Sequence, residues 1–384
     1  MSSSNRIAIA LFLILALTGL AGCSKPVEIG VITSESGAAK IYGDEVGRGL
    51  ELALEEINAA GGYKGKPIQL IYKDDETKPS VARHAITSLL EEDKVRLLIG
   101  GIASPVMLEI APIANEAGVV LISPTASNPA ITQMGHFIFR IHPSDILEGT
   151  NMAELARDLG IEKMAIFAVD NQFGAGLTEV FSDRYQSKYR KILKTFEFPE
   201  SGSSAFAAMV DEVKELSPEG VYIVGYMTDV AEITRMLRDA DVDAVIIANS
   251  GVTGRISEMI GDAAENMIYP QPNFNLDTND EDMRRFITAF RARYGEPPQR
   301  FAALGYDTLR LLYDAMVLGG NSHPDTVRAS LRQLKDYQGA SGRINFDENG
   351  DVVQYPRLFI IRDGKPIPYQ VFLDEGGTLT IPGR

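Results

Sequence analysis

The 384-residue chain has one cysteine, no tryptophan and four histidines. A single thiol excludes an intrachain disulfide, a Cys-x-x-Cys redox pair and every multi-cysteine zinc site, so the fold stands on its apolar cores. Positive charge is scarce too: 37 Lys and Arg face 52 Asp and Glu, a formal charge of −15. Nucleic acid is excluded as a partner, because its phosphates demand clustered Lys and Arg. The N-terminal apolar run, residues 7–20, is too short for the ~20 residues that a membrane-crossing helix needs. No Gly-x-x-x-x-Gly-Lys, His-Glu-x-x-His or Gly-x-Ser-x-Gly string occurs, which removes the usual signatures of phosphate-loop, zinc-peptidase and nucleophile-elbow chemistry. His84, His136, His142 and His323 are scattered among polar or turn residues and read as surface groups. Asp74-Asp75 follows a strand and reads as solvated loop acids, since adjacent strand carboxylates point to opposite faces. Neither a catalytic group, a metal site nor a cofactor is expected.

What is present suits a soluble globular protein: 45% hydrophobic and 23% charged residues. At about 150 residues per domain the length suggests two domains. Residues 1–22 read as an export signal, polar with one Arg and then apolar. Its end, Leu20-Ala21-Gly22-Cys23, resembles the lipobox of bacterial lipoproteins. That resemblance implies lipidation of Cys23 and a membrane-anchored protein, periplasmic or on the cell surface, held firmly by several acyl chains.

Apolar runs bounded by turn residues mark buried strands at 27–32, 67–72, 96–99, 119–122 and 137–141. A second series repeats the plan at 164–169, 192–198, 221–224, 244–248 and 267–269. Amphipathic helical stretches lie between them; in 44–60, Val46, Leu50, Ala53, Leu54 and Ile57 share one face. Alternating β and α predicts an α/β protein of two doubly wound parallel-sheet lobes. Two further helices, 280–294 and 301–318, are expected to return to the first lobe, and tail strands at 343–346, 357–361 and 369–372 to cross again. The expected lobes are 23–141 plus 273–345 and 142–272 plus 346–384, joined by a three-strand hinge that lets them close over something small.

Several strings in order complete the picture: Ile29-Gly30-Val31, Glu56-Ile57-Asn58-Ala59-Ala60-Gly61-Gly62, Tyr72-Lys73-Asp74-Asp75, Ser123-Pro124-Thr125-Ala126-Ser127-Asn128-Pro129, Asp170-Asn171-Gln172-Phe173-Gly174 and Gly305-Tyr306-Asp307. Together they resemble the type I periplasmic binding proteins, in the leucine/isoleucine/valine-binding branch that feeds ABC transporters. The resemblance covers essentially the whole chain after the signal. It implies a non-catalytic receptor that closes on an amino acid or related carboxylate and presents the closed form to an ABC permease in the membrane.

The residues place the site independently, because open parallel sheets bind ligands beyond the carboxyl ends of their strands. Ser104 and Ser127 sit there, and Asn128-Pro129-Ala130 reads as a helix start with Ser127 as its cap, an anion site. A cap that touches no ligand remains open for Ser127, and a plain loop hydroxyl for Ser104. The resemblance implies carboxylate contacts at Ser104, Ser127 and the backbone of Ala126, and aromatic cover from Tyr42, Phe173 and Tyr226; core packing is the rival role for Phe173. Where amino-acid binders of this branch hold the ammonium with a glutamate, this chain has Ser250. Either Asp229 or Asp170 substitutes, or the ligand carries no α-ammonium; a cap or turn role is the alternative for both acids. Two rival functions stay open, a ligand-sensing subunit for a signalling partner and an α/β hydrolase using Ser104.

Overall fold

The computed structural model describes residues 25–382 except 201 and 273; residues 1–22, expected to be an export signal, and Cys23, the expected lipidation site, lie outside the described residues. The first lobe is built on β1 (Val27–Thr33), β2 (Ile68–Asp74), β3 (Leu97–Gly100), β4 (Val120–Ser123) and β5 (Ile138–Arg140), with α1 (Lys40–Ala59), α2 (Pro79–Glu91) and α3 (Ser104–Glu116) between them. The strands pair in the order β2-β1-β3-β4-β5, all parallel. In β3 and β4 every residue is buried, as expected of strands covered on both faces. In α1, Val46, Leu50, Ala53 and Ile57 are buried.

The chain then enters the second lobe through α4 (Asp145–Asp158), β6 (Lys163–Val169), α5 (Gln172–Tyr185), β7 (Lys191–Phe198), α6 (Ser203–Leu216), β8 (Gly220–Val224), α7 (Met227–Asp239), β9 (Val245–Ala248), α8 (Ile256–Ile260) and β10 (Ile268–Gln271). It returns as α9 (Glu281–Tyr294), α10 (Arg300–Gly319) and α11 (Pro324–Gln333), and α10 packs along α1. A small antiparallel hairpin comes next, β11 (Tyr337–Gly339) and β12 (Gly342–Ile344). The tail crosses back as β13 (Arg357–Arg362), β14 (Lys365–Pro368) and α12 (Tyr369–Asp374). The second sheet runs β14-β13-β10-β9-β8-β6-β7, parallel except where β13 pairs with β10 and with β14.

The tail corrects one expectation. Residues 369–372 are not a strand: Asp363 and Gly364 make a two-residue turn with positive φ, so the returning strand begins at Lys365. Tyr369 and Phe372, three apart, then bury one face of α12.

The first passage from one sheet to the other, residues 141–144 after β5, and the third, residues 345–356 between β12 and β13, are tied together by a fully buried arginine. Arg140 donates from Nε and Nη2 to the Asp351 carboxylate, both at 2.6 Å, and from Nη1 to the carbonyls of Ser127 and Asn128 at 2.9 and 2.8 Å. A planar guanidinium with five donors can do this where lysine could not.

Candidate functional site

Each half of the first lobe's contribution starts at a strand end. Beyond β3, residues 101–103 turn the chain into α3, whose first residue is Ser104. Beyond β4, Ser123 Oγ donates to the Gly101 carbonyl at 2.8 Å, and Thr125 Oγ1 to the Ile102 carbonyl at 2.6 Å, joining the two loops. Ser104 Oγ accepts from the backbone N–H groups of Ser127 and Asn128, each at 3.2 Å. Its lone pairs are occupied, so its proton is the part left to offer.

The helix start differs from the expected one. Asn128, not Ser127, is the cap, accepting from Ala130 N at 2.8 Å, and it opens only a five-residue 3-10 turn with little aligned dipole. The longer helix whose start faces the site is α3. Ala126 N–H donates to Ser123 Oγ at 3.0 Å, and Ala126 does not line the cavity.

That cavity lies between the lobes, and of the expected residues Tyr42, Ser104, Ser127, Phe173, Tyr226 and Ser250 line it. The aromatic wall is continuous: Phe173 and Tyr226 have centroids 6.1 Å apart, Tyr226 and Tyr42 6.2 Å, and Tyr42 meets Phe301 edge-on at 4.7 Å. Phe173 is half-buried and belongs to this wall rather than to the core alone. Tyr42 Oη accepts from Met227 N–H at 2.7 Å, so a first-lobe side chain caps the start of α7. Burial pushes both tyrosine hydroxyls well above the ordinary phenol range and keeps them protonated.

Neither expected acid reaches the cavity. Asp170 is exposed, and Asp229 is buried against a separate outer recess with Gly37, Ala38 and Asp44. Burial pushes the Asp229 carboxyl up to about 6.

The wall around Ser250 holds what the sequence did not disclose. Ser250 N–H donates to Glu148 Oε1 at 2.8 Å, and its carbonyl accepts from Arg300 Nη2. Arg300 Nη1 lies 3.0 Å from His142 Nε2, and His142 Nδ1 lies 3.0 Å from the Pro143 carbonyl. That pattern assigns the proton to Nδ1 and makes Nε2 the acceptor. His142 is therefore no surface group: it is buried at the first passage, while His84, His136 and His323 are exposed. Desolvation first, then the Arg300 charge, push it down to about 3, and it is neutral at physiological pH. Burial lowers Arg300 to about 10, still charged. Glu148 is raised by burial, and Asp145 by burial and by Glu148 beside it. In the sequence, Arg300 is one Arg at a helix start after Pro297-Pro298; only the buried face of the helix behind it hinted at an inward position.

A model of the periplasmic binding protein family matches residues 26–365. The chain is similar to the leucine-, isoleucine-, valine-, threonine- and alanine-binding protein of Pseudomonas aeruginosa, 26% identical over 90% of this chain and 93% of the relative. Among solved structures it resembles a leucine-binding protein from Thermotoga maritima, with TM-score 0.82 and 27% identity over 89% of this chain and 97% of that one. It also resembles the branched-chain amino acid transporter substrate-binding protein of Streptococcus pneumoniae in complex with isoleucine, with TM-score 0.81 and 26% identity over 89% and 98%. With two parallel-sheet lobes around a cavity at the strand ends, and a family match over nearly its whole length, the chain belongs to the type I periplasmic binding proteins, in their leucine/isoleucine/valine-binding branch.

Proposed function

We propose that this protein is an extracytoplasmic receptor that closes its lobes on a small carboxylate, an amino acid or a related acid, and delivers it to an ABC permease. The observation that carries the reading is the inter-lobe cavity, where the Ser104 proton and the start of α3 face four aromatic rings. Donors at one end and apolar walls around the rest describe a small-molecule site. Ser104, Ser127, Tyr42, Phe173, Tyr226 and Ser250 are its proposed contacts; Ala126 and Asp229 are not among them. The two sheets support a first lobe of residues 23–141 and 273–345 and a second of 142–272 and 346–384. The lipobox-like string supports a lipid anchor on Cys23. Catalysis is not part of the proposal: a serine oxygen that already receives two N–H groups is arranged to donate, not to attack.

Thermal unfolding of the purified protein against amino acids and small carboxylates tests this. A ligand at 100 times its Kd should stabilise by about 2.7 kcal/mol. Ser104→Ala should remove most of that gain, read against the variant's own ligand-free midpoint, which falls because the Ser127 and Asn128 N–H groups lose their acceptor. If no member of either ligand class stabilises the wild type, the receptor reading for such solutes fails.

A further inference from the structure

If one end of the ligand is a carboxylate at Ser104, the remaining wall decides what its other polar group is. Among the residues that line the cavity there is no Asp or Glu; the one formal charge is the positive charge of Arg300. Arg300 as a residue is 1% exposed. Among the described residues its hydrogen-bond partners are both neutral, the Ser250 carbonyl and His142 Nε2; its Nε finds no acceptor, and the Phe301 ring, 4.3 Å from its Cζ, brings no formal charge either. A buried cation held only by neutral acceptors is poorly compensated.

Glu148 attracts it through space, but that carboxylate is bonded to Ser250 N–H and does not line the cavity. Coulomb's law in a dry site has two consequences here. An α-ammonium would meet like charge with no lining carboxylate to offset it. An acceptor would meet donors that are short of partners.

We propose that Arg300, positioned by His142, is the specificity-determining residue of this cavity: it selects a small carboxylate whose second polar group is an acceptor (an oxo, hydroxyl or second carboxylate group) and rejects the matching α-amino acid. The inference rests on the carboxylate-receptor reading and names the ligand class for it. His142 acts through Arg300. Its neutral Nε2 accepts one Nη1 hydrogen and fixes the plane of the fork, while Nδ1–H is held by the Pro143 carbonyl.

The test is calorimetric titration of the purified protein with leucine, 4-methyl-2-oxopentanoate, 4-methylpentanoate and glutarate, with benzoate and 4-hydroxybenzoate as an aromatic arm. At least one acceptor-bearing acid should bind about tenfold or more tighter than both leucine and the plain acid of its own skeleton. The arm that responds tells an aliphatic from an aromatic ligand. Arg300→Gln should cost the preferred acid about tenfold while changing the plain acid less than about threefold. Arg300→Lys should still exclude leucine, because its charge remains. Should Arg300→Gln fail to fold, His142→Leu gives the same readout, a selective loss for the acceptor-bearing acid.

Leucine binding as tightly as its oxo acid overturns the proposal and leaves the receptor reading intact. So does an Arg300→Gln variant that weakens plain and acceptor-bearing acids equally, since that marks a structural role alone. If none of the six probes binds, the carboxylate reading falls and this inference with it.

Discussion

Asp75 shows how one residue step changes the physics of a carboxylate. It follows Asp74 at the end of β2, and the alternation of strand side chains turns the two to opposite sides. Asp74 is partly exposed and accepts from Ser36 Oγ at 2.7 Å and Glu76 N at 2.9 Å. Asp75 is fully buried, contrary to the expected solvated acid; Oδ1 accepts from Ser34 Oγ and Thr77 N, both at 2.7 Å, while Oδ2 has no partner among the described residues. Burial pushes its carboxyl up to about 6. The folded protein thus holds a proton that the unfolded chain releases near pH 4, and the stability this contributes is full below that pH. It is lost as pH rises through about 6. Asp75→Asn keeps the Oδ1 acceptor and removes the titration, so in urea unfolding the variant should gain on the wild type by up to about 3 kcal/mol between pH 4 and 7. A difference that does not change with pH would refute this assignment.

Among the elements, the close pair of α1 and α10 matters most to the cavity, because Arg300 and Phe301 open α10 and Tyr42 lies in the first turn of α1. The helices approach through glycine: a Cβ on Gly305 would meet the Val46 carbonyl oxygen at 2.2 Å, and one on Gly49 the Ala302 carbonyl oxygen at 1.9 Å. Backbone atoms cannot swing aside as a side chain would. Gly305→Ala should therefore cost about 1–3 kcal/mol in urea unfolding and weaken ligand binding by shifting Arg300; a loss below about 0.5 kcal/mol would show the helices free to separate. The same scale explains what could be read from sequence. The inner strands β3, β4, β8 and β9 announced themselves because parallel strands covered on both faces are apolar throughout, as in Leu97–Gly100; the edge strands β2 and β7 mix apolar with charged residues and were marked by their place in the β/α alternation. β11, Tyr337–Gly339, carries one apolar side chain in three residues and gave no such signal. Ser104 and Tyr226 were legible because they follow strand ends. Arg300 and Glu148 were not, because each comes to Ser250 from an element remote in sequence, and local pattern holds no record of that meeting.

At the scale of the molecule the structure is a closed one. Among the contacts that bridge the lobes around the cavity are Tyr42 Oη with Met227 N, Asn128 Nδ2 with the Gln172 carbonyl, Glu45 with Arg255 at 3.3 Å, and Arg300 with the Ser250 carbonyl. The Glu45–Arg255 pair is partly exposed and contributes little. The Tyr42 bond is different, because it is buried and its donor opens α7. Opening the lobes returns both groups to water; closing them without the phenol oxygen leaves the Met227 N–H unpaired. Tyr42→Phe keeps the ring against Phe301 and removes only that acceptor, so it penalises the closed state by about 1–2 kcal/mol and leaves the open one unchanged. A ligand that binds only the closed state then loses roughly 5- to 30-fold in affinity, mostly as faster release. Calorimetry with stopped-flow release would measure this; with no tryptophan in the chain, a ligand-borne or attached fluorophore must report release. Unchanged affinity and release in Tyr42→Phe would mean that the phenol bond does not hold the lobes shut, and that Arg300, reaching across to the Ser250 carbonyl, carries closure as well as selectivity.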